Sequence, residues 1–230
     1  MDGTLARSRM PLEPRIVGLL RGLAKKHDVI VVSGSDAHLL TQRMSTALAG
    51  RFYVLGQNGN LALNKKSQIL WENKLNWIEK HQIFSYAERI AREKLHDFSD
   101  LHDLVEDRVS QVGFSLIGHR EEIVKKEAFD PSHEKRRTLL EKHPFRSDTV
   151  EVKIAGTTSL DFFIKGSHKG TNVARLIEHE GWKKKDAVYV GDCLFPGGND
   201  EAVIGVIRTK KVESIADTER FIEKILEKFN

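Results

Sequence analysis

Apolar residues in the first part of the chain follow two alternating spacings, one helical and one typical of strands. Helical spacing over residues 11–27 predicts an amphipathic helix, and a polar turn at 33–36 is expected to start a second helix, capped by Ser35 or Asp36. Short continuous apolar runs predict buried strands. These runs lie at 28–32, 52–55, 61–63 and 69–71, with a hairpin-like turn at 57–60. Alternating strands and helices indicate an α/β sheet.

The spacing of apolar residues changes near residue 77. A long amphipathic helix is predicted to begin at Trp77, and another is predicted to begin near Pro131. The same segment contains four predicted strands, at 104–110, 112–118, 149–154 and 159–164. Because strands with helices on one side make an α+β module, this segment is predicted to be an inserted domain.

After Gly166 the first pattern returns. It predicts a helix at 169–180, a strand at 187–190, a glycine-rich loop and a last helix at 215–228. The predicted fold class is α/β, with a Rossmann-like core of residues 1–77 and 167–230 and an α+β cap of residues 78–166.

Composition limits the class of protein. A chain of 230 residues with 40% hydrophobic and 30% charged residues is typical of a globular protein with a sizeable core. No apolar run approaches the roughly 20 residues of a membrane helix, and the first residues lack the pattern of a signal peptide. Cys193 is the only cysteine, so no internal disulfide can form. We expect a cytoplasmic protein with no membrane partner.

The charge balance is mildly basic. The net charge is +4 and the isoelectric point is about 9.1, but the basic residues are mixed with 33 acidic ones and no nucleic-acid motif is present. Two basic runs, Lys183–Lys185 and Lys135–Arg137, are expected to be solvated surface. We therefore expect no nucleic-acid partner, and a mildly positive protein suits an anionic phosphate substrate.

Two carboxylates follow the strand predicted at 187–190. Asp192 comes at the end of the strand, and a Gly/Pro loop returns Asp200 at a helix start. Ligands of open α/β sheets bind at the carboxyl ends of strands, and Mg²⁺ prefers carboxylate and phosphate oxygens. The pair therefore indicates a magnesium site. The alternative is that Asp192 only ends a strand in a turn and Asp200 only caps a helix.

Three further features are each weak alone. Asp2-Gly3 is a common turn, Ser33 after a buried strand can be a cap, and Lys169 near a helix start can be a surface lysine. Together and in this order, they resemble the motifs of the haloacid dehalogenase superfamily: Asp-x-Asp-Gly-Thr, a strand-end Ser or Thr, a Lys and a late acidic pair. The resemblance implies that Asp2 shuttles a proton, that Ser33 and Lys169 steady the phosphoryl oxygens, and that Mg²⁺ is held by three acids: Asp2, Asp192 and Asp200.

Longer stretches resemble the eukaryotic-type phosphomannomutases of that superfamily. The resemblance extends over essentially the whole chain, and it is carried by six segments: Val32–Asp36, Gln57–Gly59, Val105–Arg108, Ser115–Gly118, Ile154–Phe163 and Gly191–Asp200. The resemblance implies that Arg108, Ser159 and Asp161 bind the sugar and its distal phosphate, with Arg9 also approaching the substrate. Arginine forks suit a phosphate ligand.

The chain departs from the phosphomannomutase pattern in two ways. The attacking aspartate would stand immediately before Met1 and its strand is missing too, so the chain as given is expected to be truncated and inactive; the alternative is a dead relative. His119 (or Arg120) and Lys126 stand where the family has two further cap arginines. Lysine cannot form a bidentate fork and histidine is only partly charged near neutrality, so we expect a weaker or differently shaped second phosphate site.

The favoured function is phosphomannomutase-like interconversion of mannose 6-phosphate and mannose 1-phosphate through a phospho-aspartate, with Mg²⁺ as cofactor. A sugar-phosphate phosphatase of the same superfamily and a non-catalytic sugar-phosphate-binding protein are the alternatives. Family members dimerise through the cap, which suggests a homodimer here.

Overall fold

The computed structural model describes residues 1–7, 10–94, 101–196 and 198–228, which divide into two compact units. The first unit comprises Met1–Glu72 and Ser167–Asn230, and the second comprises Asn73–Gly166. Residues 73–77, which the sequence analysis assigned to the core, belong to the second unit.

Eight α-helices and ten strands are found in the described residues. In chain order they are α1 (Pro14–Leu23), β1 (Val29–Val32), α2 (Ala37–Arg43), β2 (Phe52–Gly56), β3 (Leu61–Leu63), β4 (Ile69–Glu72), α3 (Trp77–Lys94), α4 (Leu101–Leu104), β5 (Val105–Asp107), β6 (Gln111–Ser115), α5 (Ile123–Phe129), α6 (Glu134–Lys142), β7 (Val150–Ala155), β8 (Ser159–Ile164), α7 (Lys169–His179), β9 (Val188–Gly191), β10 (Arg208–Lys211) and α8 (Ile215–Glu227). Within the described ranges, no helix combines the length and the apolar character that crossing a membrane requires.

The first unit is built on a four-stranded sheet of order β1-β2-β3-β4. β1 and β2 are parallel, whereas β3 is antiparallel to both of its neighbours. One apolar cluster joins the sheet to α1, α2 and α8 through Ile16, Leu40 and Ile222. Another joins it to α7 through Val173 and Leu176. Helices on both sides of a sheet make the α/β class that the sequence predicts.

β9 and β10 form a separate parallel pair in the first unit. The sequence analysis found β9 but missed β10, because all four residues of β10 are exposed and three of them are basic. A strand without apolar side chains gives no hydrophobic signal. β9 ends at Gly191, so that Asp192 follows at its carboxyl end.

The second unit contains an antiparallel sheet of order β5-β6-β8-β7. Successive strand residues point to opposite faces. One face packs into the apolar core of this unit through four residues of the two central strands: Val112, Phe114, Leu160 and Phe162. The other face, called here the polar face, carries Phe163 and five small or polar residues of the same strands: Gln111, Gly113, Ser115, Ser159 and Asp161. Two of the predicted sugar-phosphate residues therefore lie on this face.

Two predicted strands of the second unit are shorter than expected. The first was predicted to span 104–110 but is confined to β5, because the backbone turns where Arg108 N donates to Gln111 O at 2.8 Å and Val109 has a φ of 72°. The second was predicted to span 112–118 but ends at Ser115. Helix α5 was not predicted at all.

Candidate functional site

The predicted site residues fall into two groups. The first unit holds Asp2, Ser33, Lys169, Asp192 and Asp200, and the second unit holds Arg108, His119, Lys126, Ser159 and Asp161. Arg9 lies outside the described residues. We describe the two groups separately, as the core site and the cap site.

A buried ion pair joins α7 to the loop after β9. Lys169 Nζ donates to Asp200 Oδ1 at 2.7 Å, and the two side chains are only 4% and 7% exposed. The Tyr189 hydroxyl donates to the same oxygen at 2.7 Å, and Cys193 N donates to Oδ2 at 3.3 Å. Burial alone would raise the pKa of the Asp200 carboxyl, but Lys169 and Tyr189 outweigh it and hold the pKa below its usual value. Asp200 is therefore a charged anchor for Lys169.

Two glycines allow this close approach. A Cβ atom at Gly170 would lie 1.8 Å from the carbonyl oxygen of Ala202, and a Cβ at Gly191 would lie 2.4 Å from Asp200 Oδ2. Contacts this short are impossible for a real side chain. The absence of side chains therefore lets the start of α7 and the end of β9 reach the segment around Asp200.

Asp192 lies against the first turn of the chain. Thr4 Oγ1 donates to Asp192 Oδ1 at 2.8 Å, and a Cβ at Gly3 would lie 2.4 Å from Asp192 Oδ2. Cys193 Sγ donates to Oδ2 at 3.2 Å. Burial and then Asp192 raise the pKa of the Cys193 thiol to about 11, so this thiol stays protonated at neutral pH and is not a nucleophile.

The Met1 backbone nitrogen is buried among the same residues. Four charged residues that the sequence assigns to the core site lie close enough to interact electrostatically with this position: Lys169, Asp200, Asp2 and Asp192. The structure therefore brings these four side chains into one region of the first unit.

Two predicted core residues have other partners. Asp2 Oδ1 pairs with the guanidinium of Arg43 at 2.5 Å, at the last position of α2. Ser33 follows β1, as predicted, and its hydroxyl accepts from Ser35 N at 3.2 Å. In the part of the chain that the structure describes, Ser33 makes no hydrogen bond to the other core-site residues.

The core site suits Mg²⁺ in its chemistry. Among the described ranges, no three His, Cys, Asp or Glu side chains are grouped so that they could hold a metal by themselves. Mg²⁺ commonly takes one or two protein carboxylates and completes its shell with water and substrate phosphate. Asp192 accepts hydrogen bonds from two neutral groups, Thr4 and Cys193, whereas Asp200 is engaged by Lys169. Asp192 is thus the better-suited metal ligand of the late acidic pair.

Three cap-site residues surround Gly113 on the polar face. A Cβ at Gly113 would lie 3.4 Å from the His119 ring, 3.5 Å from Arg108 NH2 and 3.5 Å from Asp161 Oδ1. Both Nε and NH2 of Arg108 donate to Glu106 Oε2, at 2.9 and 2.5 Å. The structure therefore brings a guanidinium, an imidazole and two carboxylates together.

The remaining two cap-site residues lie next to this group. Ser159 is two positions from Asp161 in β8 and on the same face of the sheet. Lys126 is buried, and its Nζ donates to the carbonyl oxygen of His119 at 2.5 Å. Since His119 N also donates to Asp103 O at 2.8 Å, the His119 backbone is fixed on both sides.

Burial decides the charges of the cap site. It raises the pKa of the Asp161 carboxyl to about 6, although Arg108 acts in the opposite direction. Burial also lowers the pKa of His119, an effect that Glu106 only partly opposes. His119 is therefore mostly neutral at pH 7 and does not replace the charge of an arginine.

The sequence analysis missed four residues that shape these sites. Tyr189, Arg43 and Glu106 contact predicted residues but were given no role, although Glu106 lies within the matching segment Val105–Arg108. The fourth, Arg136, was wrongly expected to be solvated as part of the run Lys135–Arg137. Its side chain is 0% exposed and pairs with Asp130 at 2.8 Å. The composition of a basic run is the same whether its middle residue is solvated or buried, so composition could not distinguish the two cases.

The fold resembles that of haloacid dehalogenase-like hydrolases. One from Bacteroides thetaiotaomicron superposes with a TM-score of 0.64 at 13% identity, covering 97% of this chain and 96% of that chain. The IMP-nucleotidase of Plasmodium falciparum superposes with a TM-score of 0.70 at 16% identity, covering 98% of this chain and 60% of that chain. These likenesses confirm the predicted fold class, a Rossmann-like haloacid dehalogenase core.

Sequence similarity identifies the family. The family model of eukaryotic phosphomannomutase matches residues 16–228. Phosphomannomutase 1 of Dictyostelium discoideum is 28% identical over 243 residues, which cover 99% of this chain and 95% of that protein. Phosphomannomutase of Schizosaccharomyces pombe is 26% identical over 227 residues, which cover 91% and 84%. The chain belongs to the eukaryotic phosphomannomutase family, as its resemblance implied.

The close approach at Gly170 gives a prediction about stability. Gly170→Ala should destabilise the protein by about 3 kcal/mol, because the new Cβ collides with the Ala202 carbonyl. Gly18→Ala is a matched control, since it is also helical but has open space around it. The control should be stabilising by about 0.5–1 kcal/mol. Urea unfolding measures both changes, and equal effects would contradict the packing of α7 described above.

The raised pKa of Asp161 gives a prediction about pH. Folding favours the protonated carboxyl, so its stabilising effect is present below the ordinary pKa of 3.8 and is lost as the pH rises through about 6. Between pH 4 and pH 7, the wild type should lose about 2.4 kcal/mol of stability relative to Asp161→Asn. Urea unfolding at both pH values tests this, with exposed Asp148→Asn as the control. A wild type and an Asp161→Asn variant with parallel pH profiles would refute it.

Proposed function

We propose that the protein is a Mg²⁺-dependent phosphoryl-transfer enzyme that interconverts mannose 6-phosphate and mannose 1-phosphate through a phospho-aspartate. Membership of the eukaryotic phosphomannomutase family supports this function. The observation that carries it is the buried pair Lys169–Asp200 beside Asp192 at the carboxyl end of β9. Ligands of α/β sheets bind at this end of the strands.

In the core site, each residue has a proposed chemical task. Lys169 neutralises the oxygens of the transferring phosphoryl group, and Asp200 holds Lys169 in place. Asp2 moves a proton between the sugar hydroxyl and solvent. Asp192, with Asp2 and Asp200 nearby, would hold Mg²⁺, which supplies further neutralisation of phosphate charge when bound. We assign the task of the attacking aspartate to no residue of the given sequence.

In the cap site, the proposed task is to hold the sugar and the phosphate that is not being transferred. Arg108 and Lys126 provide positive charge, and Ser159 and Asp161 provide hydrogen bonds to sugar hydroxyls. Arg9 is proposed to approach the same ligand. A mutase must hold two phosphates at once, one in the core and one in the cap, so both sites are required for the isomerisation.

A sugar-phosphate phosphatase is the second candidate, and one observation favours it. The pKa of His119 is lowered by burial, so a charge that the family places in the cap is missing near neutral pH. A weaker hold on the second phosphate lets the sugar leave before it is phosphorylated again. The third candidate is a non-catalytic protein that binds sugar phosphates.

We also propose that the protein is cytoplasmic and forms a homodimer through the cap. Two large apolar residues at the start of α3 support the dimer, since Trp77 is 76% exposed and Ile78 is 62% exposed. Exposed apolar side chains of this size are typical of protein interfaces when they lie together.

Product analysis tests the function. The 230-residue chain is compared with a variant extended at its N-terminus by an apolar strand that ends in Asp, with Mg²⁺, mannose 1-phosphate and a hexose bisphosphate. We expect mannose 6-phosphate from the extended protein and none after Asp192→Asn, because the metal is then not held. Release of inorganic phosphate alone would establish the phosphatase. Binding without any product would establish the non-catalytic protein, and an active Asp192→Asn variant would refute the metal site.

Arg108→Ala tests the cap site separately. We expect the Kd for mannose 1-phosphate to rise by about tenfold or more, since a charged hydrogen bond to phosphate contributes about 1.5–3 kcal/mol. Arg120→Ala is the control, because Arg120 lies next to His119 in sequence but its side chain is 82% exposed. Titration calorimetry measures both variants. An unchanged Kd for Arg108→Ala would remove this arginine from the site, and a raised Kd for Arg120→Ala would place Arg120 there.

A further inference from the structure

Arg136 is a fully buried cation behind the cap site. Its Nε donates to Asp130 Oδ2 at 2.8 Å, and both side chains are at most 1% exposed. Its NH1 donates to three backbone carbonyls, those of Ala155 at 2.8 Å, Gly156 at 3.0 Å and Ser159 at 3.2 Å. One side chain of α6 therefore binds both ends of the turn that joins β7 to β8.

The carboxylate of Asp130 compensates the buried positive charge of Arg136. Its Oδ1 accepts from Lys135 N at 3.0 Å and its Oδ2 accepts from Arg136 N at 3.2 Å, at the start of α6. Burial alone would raise the pKa of the Asp130 carboxyl, but Arg136 and these backbone donors hold it below its usual value. The pair is thus charged and fixed to the backbone at both ends, which makes it rigid.

The turn that Arg136 binds also supports β6. Ser115 Oγ donates to Gly118 O at 2.9 Å, and Thr158 Oγ1 lies 2.9 Å from Ser115 Oγ. Because the serine hydroxyl has only one hydrogen, Thr158 is the donor in the second bond. Leu116 N donates in turn to Thr158 O at 3.0 Å. The turn therefore holds the end of β6, directly before His119.

We propose that Arg136 and Asp130 are positioning residues for the cap site, an inference that rests on the function proposed above. Neither side chain lies on the polar face, so they do not touch the ligand. They fix the β7–β8 turn, from which Ser159 and Asp161 follow along β8. Through Thr158 and Ser115 they also fix the segment that carries His119. The predicted ligand-binding residues Ser159, Asp161 and His119 are thereby held in a single geometry before the ligand binds.

The test compares two neighbouring arginines. Arg137 is exposed and its side chain donates to Ser132 O, so Arg137→Met is the matched control for Arg136→Met. Arg136→Lys keeps the charge but lacks the planar fork that reaches several carbonyls. Thr158→Val is a further variant that leaves the ion pair intact and removes only the link to Ser115.

Two measurements are made on each variant of the 230-residue chain, below its melting temperature. Hydrogen exchange reports on residues 155–161 and 115–119, and calorimetry reports the Kd for mannose 1-phosphate. We expect faster exchange in both segments and a Kd raised about tenfold for Arg136→Met and Arg136→Lys, with no change for Arg137→Met. For Thr158→Val, we expect faster exchange in 115–119 alone, with a smaller rise in Kd.

The outcomes separate the two proposals. If the Arg136 variants lower the melting temperature but leave the Kd unchanged, the pair is only a stabilising element and the inference is overturned. Unchanged hydrogen exchange in 155–161 overturns it as well, without reference to any ligand. If the wild type binds neither mannose 1-phosphate nor mannose 6-phosphate, the proposed function fails, while the exchange measurement still decides whether Arg136 fixes the turn.

Discussion

The buried ion pair of Lys169 and Asp200 is the interaction on which the core site depends. Its two charges come from α7 and from the loop after β9, and each is tolerated inside the protein only because the other is there. Removing one partner of such a pair costs about 3–5 kcal/mol, since the remaining charge stays buried. The pair therefore fixes the distance between these two segments. The same loop carries Asp192, whose contact with Thr4 joins the first turn of the chain to the site.

The cap contains a second pair of the same kind, used in a different way. Lys169 is itself a predicted site residue, whereas Arg136 lies behind the polar face and acts on backbone carbonyls. Both buried cations lie near the start of a helix, but Lys169 binds a carboxylate, whereas Arg136 also binds the backbone carbonyls of a turn. A turn has few internal hydrogen bonds, so a buried charge that binds it replaces the rigidity that a longer strand would give.

Three core-site residues could be singled out from the sequence because each lies in a short segment with a recognisable pattern. Asp192 and Asp200 lie within one short loop after an apolar strand, and Lys169 starts an amphipathic helix. Sequence reasoning failed where only tertiary contacts carry the information. Nothing in the residues around Arg136 distinguishes a buried arginine from a solvated one. Val109 favours a strand by propensity, yet it occupies a left-handed turn that ends β5 early.

In the proposed function, a phosphate binds among the charged residues of the cap site. Arg108 is paired with Glu106, but the Glu106 side chain is 48% exposed, and a pair of this kind contributes little free energy. A phosphate dianion offers a guanidinium two parallel hydrogen bonds, so it can displace Glu106 into water at small cost. Lys126 differs, because it is buried and fixed on the carbonyl of His119. If the cap site binds the distal phosphate as proposed, its affinity depends on the adjustable Arg108 beside the fixed Lys126, with His119 contributing shape more than charge.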